Sequence, residues 1–408
     1  MRDGCSSSLA GVSGATVGAL ALMRRGSEPG SSPNFMVAET VENKGARFSS
    51  GNRSIAWESA TRSRAPYSPS AAEPAATEVA MEDQASAAID RVAAASIRLY
   101  DLSPDAVVER INVSENTTYR INDSARGRRY ALRVHRLGYQ SADAIASELT
   151  WVEALRVAGV VETASTVAAR DGSRVVCCQV DGLPEPRNAV LFEWLDGVAP
   201  DAEDMASFGR LGAICASLHR HARSWRRPAG FTRPTWDCDQ FIGSQGRAGR
   251  WQDGLGIGSE ELALLSRLED VIRRRLDAHG RGRDRFGLTH NDLRLANLLV
   301  DGDQTYVIDF DDCGDSWYMN DWATAVSMIE HHPQLPAMQD AWVEGYRSVA
   351  SLSREDEAEL PTFVMLNRLF FVAWVGSHHT WAPEAAELGA DYTVGTCHLA
   401  EAYLARVS

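Results

Sequence analysis

The stretch LTHNDLRLANLLVDGDQTYVIDFDD, from Leu288 to Asp312, decides the fold of this chain. It contains two short apolar runs, NLLV and YVIDF, which have the pattern of buried strands. Asp292 and Asn297 come just before or at the start of the first run, with four residues between them, and Asp309 belongs to the second. Because the strands are predicted to be buried, we expect these polar side chains to face a cleft and not an exposed turn.

The residue types in this stretch suit the transfer of a phosphoryl group. Such a reaction needs a carboxylate beside the attacking hydroxyl and neutralisation of the charge on the phosphates. Mg²⁺ prefers carboxylate, amide and water oxygens as ligands. Asp292, Asn297 and Asp309 supply both requirements, so the stretch predicts a phosphotransferase site.

The same residues resemble the catalytic loop and metal-binding segment of the protein-kinase-like fold. H-x-D-x-x-x-x-N followed by I-D-F-D is similar to the aminoglycoside phosphotransferase and choline kinase branch, where this second segment replaces D-F-G. Within the branch, homoserine-kinase-type and stress-response-kinase-A-like phosphotransferases are the most similar, through YALRVHRLGYQS, SELTWVEAL, LFEWLDG and IDFDDCGDSWYMNDWA. The resemblance covers roughly residues 105–400 and implies ATP and Mg²⁺ as cofactors.

The resemblance also implies roles for individual residues. Asp292 would be the base that orients the acceptor hydroxyl, and Asn297 and Asp309 would be the Mg²⁺ ligands. Arg294 stands where many protein kinases have a lysine that contacts the transferring phosphate. His290 is expected to support the loop by bonding to the backbone near Asp309.

The cation that contacts the nucleotide phosphates must be an arginine, because Lys44 is the only lysine in the chain. Protein kinases use a lysine on strand three, paired with a helix glutamate. The ALRVHR strand has Arg133 at that position, and arginine can fork onto phosphate oxygens. Glu148 on the following helix is its expected partner.

Two further segments are expected to bind ATP. The turn between the first two strands lacks glycines, but its backbone could contact phosphates, and its candidate residues are Ser114, Asn116 and Thr117. The FEWLDG segment is the expected hinge, where backbone groups of Glu193, Trp194 and Leu195 would bond the adenine edge.

Acidic and aromatic residues crowd the region after Asp309. A cleft rich in both suits a small cationic hydroxyl compound, such as an amino alcohol, a hydroxy-amino acid or an aminosugar. The candidate acceptor-binding residues are Asp311, Asp312, Trp317 and Asp321.

The chain as a whole is expected to have an α+β fold, two-lobed and protein-kinase-like. Residues 81–197 read as a small N-lobe, a five-strand antiparallel sheet with one helix after the third strand, and residues 198–408 read as a larger, mainly α-helical C-lobe. Residues 1–80 have the composition of a disordered extension, with a targeting peptide or an upstream start codon called in error as the alternatives. Met81 would be a sensible start for the folded part.

Composition limits the partners. The net charge of −14 disfavours nucleic acid, and no apolar run reaches the roughly 18 residues of a membrane span. Seven cysteines without a C-x-x-C pair favour reduced thiols in the cytoplasm.

Three functions fit the sequence. The first is a small-molecule kinase that uses ATP and Mg²⁺. The second is a protein Ser/Thr kinase of the stress-response type, and the third is an inactive kinase fold that serves as a binding module. The presence of Asp292, Asn297 and Asp309 argues against the third, and the lack of a recognisable activation segment argues against the second.

Overall fold

The computed structural model describes residues 76–113 and 116–407, with side chains from Ser86 onward. The extension predicted for residues 1–80 therefore lies almost entirely outside the described residues, and so does Ser114. By their contacts, residues 84–407 belong to one compact unit, whereas only the start of α1 is described for the unit of residues 22–83.

The N-terminal lobe is an antiparallel sheet with a helix on each face. Its elements are α1 (Ala76–Ile97), β1 (Val107–Val113), β2 (Thr117–Asp123), β3 (Arg128–Val134), α2 (Ala142–Val157), β4 (Thr166–Val167), β5 (Val176–Cys178) and β6 (Arg187–Glu193). The strand order is β1-β2-β3-β6-β4, and β5 also pairs with β6. The sheet has six strands where the sequence predicts five, because β4 has two residues and is too short to show an alternating pattern.

The two faces of this sheet pack against different helices. On one face Leu132 and Val134 join a core cluster with Val92 of α1. On the other face Val190 packs against Ile145 and Leu149 of α2. Since alternate residues of a strand point to opposite faces, Arg133 is directed toward α2, between its two neighbours on the α1 side.

The C-terminal lobe is mainly helical. Its helices are α3 (Met205–Ser224), α4 (Cys238–Ile242), α5 (Ser259–His279), α6 (Asn320–Ala325), α7 (Leu335–Arg347), α8 (Arg354–Ala358), α9 (Leu360–His378), α10 (Pro383–Leu388) and α11 (Asp391–Val407). Pro336, Pro361 and Pro383 stand in the first turns of α7, α9 and α10, where proline's missing N–H costs no hydrogen bond. These prolines therefore mark the starts of three helices and do not interrupt any of them.

Two short antiparallel strand pairs contain or flank the stretch from Leu288 to Asp312. β7 (Phe286–Thr289) pairs with β10 (Gly314–Trp317), and β8 (Leu298–Asp301) pairs with β9 (Gln304–Val307). The run NLLV forms β8 from Leu298 onward, as predicted. Of YVIDF only Tyr306 and Val307 lie in β9, and Asp309 follows the strand. The loop from β7 to β8 and the segment after β9 hold the polar residues of the stretch.

Helix α9 is the apolar centre of the C-terminal lobe. Phe363, Leu366 and Leu369 are fully buried, and the helix contacts α4, α5, α6, α10 and α11. Its length and composition would allow it to cross a membrane, but 67% of its apolar window is buried inside the protein. The predicted two-lobed α+β architecture is confirmed.

Candidate active site

The loop predicted to be catalytic begins with a backbone turn that a buried carboxylate holds in place. Asn291 has φ of 63°, in the left-handed region that few residues other than glycine adopt. Its N–H donates to Asp321 Oδ1 at 3.0 Å, and Asp321 Oδ2 lies 2.9 Å from His219 Nε2. Non-glycine residues in this conformation persist only where surrounding contacts fix them, and they cluster at functional sites.

His290 supports the same loop from the other side. Its Nε2 lies 3.1 Å from the carbonyl oxygen of Ile308, which can only accept, so Nε2 carries the proton. Its Nδ1 then accepts from the backbone N–H of Asp292 at 3.3 Å. His290 thereby joins the loop to the residue before Asp309.

Asp292 and Asn297 form a bonded pair in the loop. Asn297 Nδ2 donates to the carbonyl oxygen and to Oδ2 of Asp292, each at 2.7 Å. Because Nδ2 makes both bonds, Asn297 Oδ1 is turned away from Asp292 and stays available as a ligand. Burial raises the pKa of Asp292 above its usual range, and Arg294 opposes that shift.

Arg294 lies beside Asp292. Its Nε is 3.5 Å from Asp292 Oδ1, and its Nη1 is 3.4 Å from Glu384 Oε1 of α10. The Arg294 side chain is about one quarter exposed. It therefore stands close to the predicted base and can still contact a ligand.

Asp309 also has an uncommon backbone conformation, with φ of 59°. Its side chain is 49% exposed, and Oδ1 lies 3.3 Å from Arg133 Nη1. Asp309 belongs to the C-terminal lobe and Arg133 to β3, so this contact joins the two lobes.

Arg133 is bound to Glu148 of α2. Arg133 Nη2 donates to both carboxylate oxygens of Glu148, at 2.7 and 2.8 Å, and both side chains are buried. The guanidinium also lies 5.3 Å from the ring centroid of Phe192. Arg133 Nε has no hydrogen-bond partner among the described residues. The arginine is therefore held in a fixed orientation between Glu148 and Asp309.

The donor set fits Mg²⁺ in part. Among the described residues, no group of three or more His, Cys, Asp or Glu is arranged to hold a metal ion. Asn297 Oδ1 and an Asp309 carboxylate oxygen are hard oxygen donors of the kind Mg²⁺ prefers. Mg²⁺ commonly takes only one or two protein ligands and completes its shell with waters and phosphate oxygens. Two oxygen ligands therefore fit Mg²⁺ bound together with a nucleotide.

Two residues predicted to bind the acceptor lie elsewhere. Trp317 is buried in the C-terminal core and donates its indole N–H to the carbonyl of Gly280 at 2.9 Å. Asp321 is fully buried, and both of its oxygens are bound to the catalytic loop and α3. The prediction of acceptor contacts by Trp317 and Asp321 is wrong, because core packing and loop support use these side chains.

In the turn between β1 and β2, the side chain of Asn116 is used in contacts within the protein, and the phosphate contacts expected of the backbone stay a prediction. Asn116 is buried, and its Nδ2 donates to Asp311 Oδ2 at 2.8 Å while its Oδ1 accepts from the backbone N–H of Arg136 at 3.2 Å. Its side chain therefore joins the lobes and is not free to bind phosphate. Thr117 pairs with Val134 in the sheet.

Asp311 is an interlobe residue more than an acceptor ligand. It is 4% exposed, and the charge of Arg133 and the hydrogen bond from Asn116 act against burial to hold its pKa below the usual range. Its Oδ1 has no hydrogen-bond partner among the described residues and lies 3.7 Å from His135 Nδ1. Burial and the charge of Arg133 lower the pKa of His135 to about 3, so that ring is neutral.

The hinge has one free amide among its three predicted residues. The N–H of Glu193 donates to Ser165 at 2.9 Å, and the N–H of Trp194 donates to Arg129 at 3.2 Å. The N–H of Leu195 has no partner within the described part of the chain. Leu195 is therefore the residue of this group whose amide can reach a ligand.

Sequence reasoning missed Arg233, a buried residue that positions the acidic segment. Arg233 donates to the carbonyls of Ala144 on α2, Asp311 and Cys313. It thus ties α2 to the residues directly after Asp309. A single arginine before a proline, in a stretch without period, carries no sequence signal for this contact.

A family model described as the phosphotransferase enzyme family matches residues 107–358. Among solved structures, a microcompartment-associated aminopropanol kinase is 46% identical, with a TM-score of 0.72 over 78% of this chain and 98% of its own. An amicoumacin kinase solved in complex with AMP-PNP, Ca²⁺ and Ami has a TM-score of 0.64 over 78% of this chain and 95% of its own; at 20% identity it shows the fold alone. A protein of Deinococcus radiodurans described as uncharacterized is 28% identical over 283 residues, which are 66% of this chain and 77% of the relative.

Proposed function

The chain belongs to the phosphotransferase enzyme family, and we propose that it transfers the γ-phosphate of ATP, bound with Mg²⁺, to a hydroxyl of a small cationic molecule. The acceptor we favour is an amino alcohol. A hydroxy-amino acid or an aminosugar is the next choice.

The observation that carries this proposal is the convergence of four side chains. Asp292 is bonded to Asn297, and Asp309 contacts Arg133 from the opposite lobe. His290 bonds both to the Asp292 N–H and to the carbonyl of Ile308, the residue before Asp309, so the two pairs are held side by side. One cleft thus offers a carboxylate for a hydroxyl, two oxygen ligands and a fixed cation.

In the proposed reaction, Asp292 accepts a hydrogen bond from the acceptor hydroxyl and takes its proton. The hydroxyl oxygen forms a bond to the γ-phosphorus, and the bond between that phosphorus and the β–γ bridging oxygen breaks. ADP leaves with the electron pair. The bonds from Asn297 keep Asp292 oriented for this step, and general-base help of this kind is worth about 10²–10⁴-fold.

Charge on the phosphates is met by groups already fixed in the cleft. Arg133 would bind nucleotide phosphate oxygens, with Glu148 holding its guanidinium in place. Mg²⁺, held by Asn297 and Asp309 together with the phosphates, would neutralise negative charge when bound. Arg294 stands next to Asp292 and would contact the phosphoryl group in transfer.

An amino alcohol is favoured by two separate observations. The chain is 46% identical to a protein named as an aminopropanol kinase, and the two match over most of both chains. Asp312 also lies beside the aromatic side chains of Tyr139 and Trp236, a combination that suits an ammonium group. Six described cysteines are free thiols, which supports a reducing compartment such as the cytoplasm.

The protein-kinase alternative is disfavoured by the short path after Asp309. Residues 310–319 contain β10 and lead directly to α6, which leaves no room there for a long activation segment. The inactive-module alternative is disfavoured because Asp292, Asn297, Asp309 and Arg133 are all present and connected.

The proposal is tested by measuring ATP consumption in the presence of Mg²⁺ with a panel of acceptors. The panel contains amino alcohols, hydroxy-amino acids, aminosugars and a generic protein substrate, and Asp292→Asn is the control for contaminating kinases. We expect turnover with one small amine acceptor that the variant lacks. The proposal would be contradicted if only the protein substrate were phosphorylated, or if none of the acceptors in the panel were phosphorylated.

A further inference from the structure

Asp312 differs from the other carboxylates of the cleft in its charge environment. Asp309 pairs with Arg133 at 3.3 Å, and Asp292 lies 3.5 Å from Arg294. Asp312 forms no ion pair with any residue that the structure describes. It is thus a carboxylate inside the cleft without a cation of its own.

Contacts fix the position of Asp312 while leaving part of its carboxylate free. Oδ1 accepts the hydroxyl of Tyr139, which follows β3 in the N-terminal lobe. The Asp312 carbonyl accepts the indole N–H of Trp236 at 2.9 Å and the side-chain N–H of Asn291 at 3.5 Å. Among the described residues, no hydrogen bond to Oδ2 of Asp312 is present. The residue is therefore anchored at three points, with one oxygen left for a ligand.

The surroundings of Asp312 favour the binding of a cationic group. Burial and the charges of Asp311 and Asp292 raise its pKa to about 8, in that order of effect. Arg247 attracts the carboxylate through space, but its guanidinium lies over the rings of Tyr139 and Trp236, 5.0 and 4.8 Å from their centroids. An ammonium group placed at Asp312 would relieve the repulsion among the carboxylates and would lie near aromatic rings.

We propose that Asp312 binds the ammonium group of the acceptor and so selects amine-bearing hydroxyl compounds. This inference rests on the proposed function and names the residue that sets its specificity. Asn291, the residue before Asp292, donates its side-chain N–H to the Asp312 carbonyl at 3.5 Å, which places Asp312 next to the loop that carries Asp292. An acceptor whose amine and hydroxyl are separated by a short carbon chain can then contact both.

The test compares a matched pair of acceptors, the best amino alcohol of the panel and the diol in which a hydroxyl replaces its amine. Wild type is expected to prefer the amine strongly, as judged by the ratio of the two kcat/KM values. In Asp312→Asn we expect the KM for the amino alcohol to rise about 10- to 100-fold, as for loss of a hydrogen bond between charged groups, and the preference to collapse. Asp315→Asn is the matched control, because Asp315 is paired with Arg227 at 2.7 Å outside the pocket, and it should keep the preference.

The outcomes separate the two proposals. A wild-type amino alcohol kinase whose Asp312→Asn variant keeps its preference overturns the role of Asp312 and leaves the proposed function intact. A wild-type protein that phosphorylates none of the acceptors overturns both. Should Asp312→Asn not fold, Tyr139→Phe replaces it, because it removes the hydroxyl that holds Oδ1. We expect this variant to raise the KM for the amino alcohol several-fold, and an unchanged KM also overturns the role of Asp312.

Discussion

Arg133 Nη2 lies 2.7 and 2.8 Å from the two carboxylate oxygens of Glu148, in a buried contact between β3 and α2. The second terminal nitrogen of the same guanidinium lies 3.3 Å from Asp309 in the other lobe. One side chain thus connects the sheet, its helix and the predicted metal-binding segment. A lysine, with one nitrogen on a flexible stem, could not reproduce this geometry.

Replacing Arg133 is expected to affect both stability and ATP binding. Arg133→Ala leaves Glu148 buried without a cation, which should lower the free energy of unfolding by about 3–5 kcal/mol and raise the KM for ATP. Arg133→Lys should partly restore both the stability and the KM for ATP, because lysine returns the positive charge but cannot make the bidentate contacts of a guanidinium. Urea unfolding and ATP kinetics are the measurements.

The control is Arg120→Ala, on the same sheet, whose partner Glu109 is exposed and whose loss should cost less than about 1 kcal/mol. Glu148→Ala should give a milder ATP defect, and the double variant should lose less than the sum of the single losses. Unchanged ATP kinetics in Arg133→Ala would assign the phosphates to another arginine, with Arg294 the first to test.

Asp292→Asn is expected to abolish turnover while ATP binding persists. The amide keeps the shape of the side chain but cannot take the proton, so the rate should fall by about 10²–10⁴-fold. Turnover and nucleotide binding are measured on the same preparation, with Asp315→Asn as the control. Retention of more than about a tenth of the wild-type rate would remove Asp292 from the role of base.

Asn116→Ala is expected to weaken the joint between the lobes. It removes the 2.8 Å bond to Asp311, whose other oxygen already lacks a partner, and an unsatisfied buried carboxylate should cost about 1–3 kcal/mol. We also expect a higher KM for ATP, because the β1–β2 turn is no longer tied down. If unfolding and ATP kinetics match those of wild type, the bond has no role in closing the cleft.

The acceptor KM should depend on pH through Asp312. Its pKa is about 8, raised by burial, Asp311 and Asp292, while the Tyr139 hydroxyl bond and Arg247 oppose the shift. Because only the ionised carboxylate attracts an ammonium group, the KM for an amino alcohol should fall as pH rises through about 8, where alkyl ammonium groups are still charged. The profile is measured for wild type and Asp312→Asn, and the same slope in both would rule out titration of this residue.

A chain that begins at Met81 is expected to be active. The cut removes the first five residues of α1, and among the side chains described, which begin at Ser86, the first buried one of this helix is Ala88. Residues before the helix are poor in the apolar periodicity that a folded element needs. Solubility, thermal unfolding and turnover of the shortened chain decide this, and aggregation would place the start of the folded part further upstream.

The sequence predicts the fold well because hydrophobic periodicity and the residues that begin and end helices are local features of the chain. Ser141 caps α2 through a bond to the N–H of Ala144, and Gly159 follows the helix with φ of 61°, both as expected from the residue types. The two-residue strand β4 has no period to read. Its place in the sheet is set by pairing with β6, which is a tertiary contact.

The sequence predicts which candidate site residues lie together where they are close in the chain. It does not predict which side chains become buried through contacts with distant parts of the chain. Asp292 and Asn297 share one loop, and Arg133 and Glu148 share a strand and the helix after it, so their neighbourhoods follow from the chain. In the sequence, Asp321 cannot be told from an exposed aspartate of the cleft. In the structure it is buried by its contact with His219, which lies 102 residues away along the chain. Long-range partners of this kind cannot be read from a single sequence.

The arginine at position 133 also determines which reagents can report on this protein. Covalent nucleotide probes used in chemical proteomics commonly label an amine in the phosphate-binding cleft, and Lys44, the one lysine of the chain, belongs to the segment before α1. A guanidinium that is always protonated does not acylate under such conditions. A nucleotide probe that acylates an amine at this position of β3 would therefore find none in this enzyme, whereas photoaffinity nucleotides, which do not require an amine, could label it.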